Sequence, residues 1–185
     1  MLRLRTPCAS RTPFCAQHDR IEGLKGGEVI QSRVMPQLLI MAFGNPLRSD
    51  DGVAWRAAEA IQEKFSGSEV EVTRLHQLGP ELAEAVSRAS AVVFVDASSE
   101  GEPGSVQCES VRTDRAEMNR FCHTFSPAMV MALCSQLYGT SPPAFCATVT
   151  GQNFSHGEAL SPAVEAALPI LVRRIEDLVQ SFLNS

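Results

Sequence analysis

The segment Gly44-Asn45-Pro46-Leu47-Arg48-Ser49-Asp50-Asp51-Gly52 joins a short apolar run to a helical pattern and carries two adjacent carboxylates. A glycine-rich loop before a helix ordinarily suggests a phosphate site, because the first amides of the helix are free to bind an anion. This loop lacks both the GxGxxG spacing and the GxxxxGK[ST] lysine of nucleotide sites. Its two carboxylates would repel a phosphate. They suit a cation, or a water to be activated, and the positive end of the following helix keeps them ionised. The structural alternative is that Asp50 caps the helix while Asp51 is merely solvated.

Two further residues fall in comparable places. Asp96 ends the apolar run Val92-Val93-Phe94-Val95, where a carboxylate either joins a site or forms a turn with nearby amides. His123 precedes an apolar helical stretch that opens at Ser126-Pro127. Taken alone it is an ordinary loop histidine. Two carboxylates and one imidazole can make a three-ligand site with open positions, and mixed N/O ligation suits nickel or zinc. His76 also follows a strand pattern and is a reserve ligand, whereas His156 reads as a surface-loop residue. Cys122 and His123 do not make a catalytic dyad, because neighbours in extended chain point apart.

The elements that must position these residues alternate. Leu38–Phe43 and Ala91–Val95 read as strands buried on both faces. Val70, Val72 and Leu75 suggest a further strand, as do Val106 with Cys108, extending at most to Val111, and the run Phe145–Val149. Helical spacing links Ala54, Ala57, Ala58, Ile61 and Phe65, with Ser49 or Asp50 as the cap. Gly79-Pro80 opens a second helix with Leu82, Ala83, Val86 and Ala89 on one face, and Ser126-Pro127 a third. A last helix from Ser161-Pro162 keeps its apolar stripe in phase across Pro169, which should kink it. Trp55 is expected to pack against the sheet. Alternation of this kind implies an α/β fold in three layers, a mostly parallel twisted sheet flanked by helices. Ligands then gather outside the carboxyl ends of the strands, where Gly44–Asp51, His76, Asp96 and the segment before the third helix all fall.

With 185 residues and 44% hydrophobic content, the composition is globular and suits one domain. No apolar run approaches the ~20 residues of a membrane span. Residues 1–37 carry six Lys/Arg against three acids, whereas the remainder carries 10 against 18. Such an acidic body argues against a nucleic-acid partner. The 1–37 segment shows no sustained period. It reads as a disordered extension or one arising from a start assigned too early, with an organelle transit peptide as the other reading. The single domain is therefore expected over 38–185. None of the six cysteines forms a CxxC pair, so a zinc ribbon is not indicated. Cys108, Cys122, Cys134 and Cys146 read as buried free thiols, and a reducing cytoplasm is the expected compartment.

The motif Gly-Asn-Pro-Leu-x-x-Asp-Asp-Gly after a buried strand resembles the opening motif of the hydrogenase maturation endopeptidases. The resemblance continues through Val93-Phe94-Val95-Asp96-Ala97, His123, the stretch from Gly139 to Gly151, Gly157-Glu158 and Leu160-Ser161-Pro162. It covers about residues 36 to 179; each motif is weak alone, and their order and spacing carry the likeness. Ala54 stands where the family often has Gly, and the 37-residue extension is not a family feature. The resemblance implies a protease that removes a short C-terminal extension from the large-subunit precursor of a [NiFe] hydrogenase after nickel insertion. It assigns nickel contact to Asp51, Asp96 and His123 and catalysis to Asp51 and Asp96. The nickel would come with the substrate precursor, and the enzyme would be a monomer that docks transiently. Competing readings are a nickel sensor or chaperone using the same ligands without cleavage, and a phosphorylase-like or other hydrolase on a related sheet. The latter would need cationic phosphate ligands, for which Arg48 is the one candidate.

Overall fold

The computed structural model describes residues 38–65, 67, 69–113 and 125–184. Five strands form one sheet in the order β2-β1-β3-β5-β4: β1 Leu38–Phe43, β2 Val70–Leu75, β3 Ala91–Ser98, β4 Val106–Ser110 and β5 Ala144–Thr150. The β1–β2, β1–β3 and β3–β5 pairs are parallel, and β4 runs antiparallel to β5 at the edge. The helices are α1 Val53–Lys64, α2 Leu82–Ser87, α3 Pro127–Tyr138 and α4 Pro162–Leu183. The expected α/β class, mostly parallel sheet and three layers are therefore found.

The layering follows from strand alternation. Successive residues of a strand face opposite sides, so one run can feed two cores. Leu38, Ile40 and Ala42 of β1 join Val93, Val95, Ala147 and Val149 in a cluster covered by α1 and α4. Leu39 and Met41 join Val92 and Phe94 in a second cluster, under α2 and α3. All nine of these β1 and β3 residues are at most 2% exposed, which explains why these strands are continuously apolar. Phe94, with a fully buried aromatic ring, sits two residues before Asp96 on the same face.

Several elements depart from the expectations. β3 does not stop before Asp96: Asp96, Ala97 and Ser98 pair with Thr148, Val149 and Thr150, and this ladder holds them extended. The second helix is only Leu82–Ser87, and Ala89 is buried beyond its end. Neither Ser49 nor Asp50 caps α1. Ser49–Gly52 forms a 3-10 turn of its own, and Gly52 is the N-cap, without a side-chain bond. Ser126 does cap α3, its hydroxyl accepting the Met129 amide at 3.3 Å. Pro169 lies inside α4, which remains one helix. Cys134 is buried as expected, but Cys108 is exposed because β4 is an edge strand; Cys122 lies outside the described residues. No described helix is long and apolar enough to cross a membrane.

Candidate active site

The loop after β1 is built around a close approach. Gly44 has φ +140°, and a side chain there would collide with the Asp51 carbonyl. The chain thereby folds back, and the Asn45 amide donates to Asp51 Oδ2 at 2.9 Å. The Arg48 guanidinium stands 4.0 Å from the same oxygen, with half of its side chain in water. Asp51 itself is partly exposed, at the mouth of the crevice.

Asp50 faces the opposite way and is fully buried. Its Oδ2 accepts the amides of Gln152 and Asn153, each at 2.8 Å, and its Oδ1 accepts the Ser161 amide at 2.6 Å. Burial alone would raise its pKa; the Ser161, Asn153 and Gln152 amides outweigh that and hold the carboxyl below the usual carboxylate range. This carboxylate is thus the fastener between the 44–52 loop and the segment connecting β5 to α4. The fastening is repeated along the loop. The Ser49 amide donates to the Gly157 carbonyl at 2.7 Å, the Asp50 amide to the Asn153 carbonyl at 3.0 Å, and the Ser49 hydroxyl to the Ser155 carbonyl at 3.2 Å. Ser49 adopts φ +50°, unusual for a residue with a side chain, and these bonds hold it there. Gly151 is required for the same junction, since a Cβ would strike the Phe154 ring.

Asp96 emerges from β3 on the α2/α3 face, where the sheet meets the crevice. Burial pushes its carboxyl up to about 7. A 2.8 Å bond from the Ala97 amide opposes that shift, and the nearby charge of Asp51 adds to it. The charge of Asp51 therefore reaches Asp96. Cys146 lies on the same face, two register positions back, beside Phe94. Burial pushes its thiol up to about 12, with the Asp96 charge acting in the same direction, so it is no nucleophile at neutral pH.

The structure thus brings Asp51 and Asp96 together. It separates Asp50 from them by role: the first acid of the pair is structural, but as a fastener and not as the helix cap. His123 lies outside the described residues. His76 is exposed and stacks on Trp55, ring centroids 5.2 Å apart, while Trp55 Nε1 donates to the Leu75 carbonyl at the end of β2. His156 is exposed, with Nδ1 3.0 Å from the Leu47 carbonyl. Among the described residues no group of three or more His, Cys, Asp or Glu is placed to hold a metal ion. Asp51 and Asp96 supply hard oxygen donors, and a metal arriving there would need its other ligands from elsewhere. Sequence reasoning missed the amides of Gln152, Asn153 and Ser161 as partners of Asp50. The only hint was the clustering of Gly151, Asn153 and Ser161 around turn-forming residues.

No family model matches the chain, and no curated protein matches its sequence. Solved structures do match. The hydrogenase maturating endopeptidase HybD from E. coli superposes with a TM-score of 0.64 at 20% identity, over 78% of this chain and 93% of that one. The [NiFe] hydrogenase maturation protease HycI from Thermococcus kodakarensis KOD1 gives a TM-score of 0.61 at 19% identity, over 80% and 93%. The hydrogenase 2 maturation peptidase from Thaumarchaeota archaeon SCGC_AB-539-E09 gives 0.58 at 16% identity, over 77% and 97%.

Proposed function

We infer the function from a fold that the described chain shares with solved hydrogenase maturation proteases, over nearly the whole length of those it matches. From this premise and the site, we propose that the protein is an endopeptidase that removes the C-terminal extension of a [NiFe] hydrogenase large-subunit precursor. The observation that carries the reading is the acid pair at the crevice. Asp51 and Asp96 stand close enough to interact, and Asp96 titrates near neutrality.

The nickel belongs to the substrate. Asp51 and Asp96, with His123, approach it in the loaded precursor and so bring the scissile peptide into the crevice. Hydrolysis requires a water to lose a proton as its oxygen attacks the carbonyl carbon. It then requires a proton for the amine that leaves when the C–N bond breaks. A carboxyl with a pKa of about 7 can take the first proton and return the second. Asp50 keeps the loop in place while this happens. The compartment that fits the free thiols of Cys134 and Cys146 is a reducing one, the cytoplasm.

The test is incubation with a nickel-loaded precursor, followed by sequencing of whatever is released. A single C-terminal peptide is expected. An intact precursor, together with tight binding of free nickel by this protein, would replace the endopeptidase reading with the sensor or chaperone reading.

A further inference from the structure

The face of the sheet under α2 and α3 changes character along its strands. On β5, Ala144 belongs to the cluster under those helices and Cys146 packs against it, whereas Ala147 and Val149 belong to the cluster under α1 and α4. Alternation therefore puts Thr148 on the α2/α3 face, with Ala144 and Cys146. The same rule puts Asp96 there, with Val92 and Phe94. Across the ladders the rows read Val92–Ala144–Val111, then Phe94–Cys146–Glu109, then Asp96–Thr148–Gln107. The first row is apolar and packs into the core. The last is polar throughout and lies at the crevice with Asp96.

Asp96 and Thr148 are register partners in the parallel β3–β5 pair. Neighbouring strands lie about 4.8 Å apart, and the side chains of register partners rise side by side. Asp96 Oδ1 accepts the Ala97 amide at 2.8 Å. Among the described residues, neither Asp96 Oδ2 nor the Thr148 hydroxyl has a hydrogen-bond partner, and Thr148 is half-buried. Two unpaired polar groups thus flank one interval. A single water spans such an interval through two hydrogen bonds of about 2.8 Å.

We propose that Thr148 positions the attacking water: the water donates one hydrogen to Asp96 Oδ2 and the other to the Thr148 hydroxyl oxygen, and a lone pair of its oxygen faces the scissile carbonyl carbon. The proposal rests on the endopeptidase reading and adds to it the residue that aims the nucleophile. Asp96 takes the first proton as the water oxygen attacks, and returns it to the amine when the C–N bond breaks. The water's other proton stays on the new C-terminal carboxylic acid, which then ionises in solvent. Thr148 keeps its own proton throughout. Its contribution is orientation, because a carboxylate alone holds the water by one bond and leaves it free to turn. Its neighbours are less suited. Cys146 sits one row deeper and its thiol is a weak acceptor, while Gln107 is one strand further from Asp96.

The experiment uses the full chain and a nickel-loaded precursor. Valine shares threonine's branched shape and strand preference and carries a methyl in place of the hydroxyl. Thr148→Val should lower kcat about a hundredfold and leave KM unchanged, because the precursor is held by other groups and only the water is misplaced. Thr148→Ser keeps the hydroxyl and loses the methyl, and it should retain most of the rate. Gln107→Ala, at the end of the same row, should process at the parental rate. Circular dichroism checks folding. If Thr148→Val does not fold, the contrast between Thr148→Ser and Thr148→Ala isolates the same hydroxyl. A folded Thr148→Val protein with the parental kcat, whether or not its KM rises, overturns the water-positioning role and leaves the endopeptidase standing. So does a Thr148→Ser protein as slow as Thr148→Val, since packing would then be what Thr148 supplies. A wild-type protein that cleaves no precursor overturns the endopeptidase reading and this role together.

Discussion

Asp50, fully buried, and Asp96, half-buried, are carboxyls at the same rim, and their surroundings drive them in opposite directions. Asp50 has three amides on its two oxygens and is held ionised below the usual carboxylate range. Asp96 has one amide, a neighbouring negative charge and a pKa of about 7. Burial alone thus does not decide what a carboxylate does; the count of donors that accompany it does. A fully satisfied charge fixes structure. An under-satisfied one remains available for a proton or a cation.

The strongest way to break this contrast is through activity. Asp51→Asn should reduce precursor processing by about a thousandfold while leaving the fold intact, as measured by rate and circular dichroism. A folded Asp51→Asn protein that processes at the normal rate removes Asp51 from the site. Asp50→Ala should act on stability instead. It leaves the Gln152, Asn153 and Ser161 amides without the carboxylate that now accepts them and should cost about 2 kcal/mol in denaturant unfolding. If its stability is unchanged, Asp50 is no fastener.

A pH series sharpens the comparison. Asp50 has a lowered folded pKa, so its contribution is present above the ordinary carboxylate range and is lost as pH falls through its folded value. Asp96 has a raised one. The folded state binds the extra proton between the ordinary carboxylate range and about 7, so its charge destabilises the fold above pH 7 and not below pH 4. Asp96→Asn should therefore be more stable than the parent at pH 8, by about 2 kcal/mol, with the gain gone near pH 4. An equal difference at both pH values would contradict the assignment. The smallest effect is expected away from the rim. Arg74 and Glu59 form an exposed ion pair at 2.8 Å, and Arg74→Ala should shift the unfolding free energy by less than about 0.5 kcal/mol.

The sequence carried most of the sheet because β1 and β3 are apolar enough to be buried on both faces, a pattern that survives without any knowledge of partners. It carried less of what depends on pairing. Asp96 reads as the residue after a strand because a charge ends the apolar run, yet the β5 ladder extends β3 through Ser98. Cys108 reads as buried from its apolar neighbours, yet it sits on an unpaired edge. The split between Asp50 and Asp51 could not be read at all. Two adjacent aspartates are chemically identical in sequence. What separates them is a set of backbone amides about a hundred residues away, contributed by a segment whose own residue types say only that it turns.

The central claim is that the under-satisfied acids read nickel carried by the precursor. Parallel time courses of intact mass, with nickel-loaded and nickel-free precursor, test it most directly. The account predicts loss of one C-terminal peptide from the loaded form alone, and no loss with folded Asp96→Asn protein. Equal cleavage of loaded and nickel-free precursor, or normal cleavage by Asp96→Asn, would contradict it.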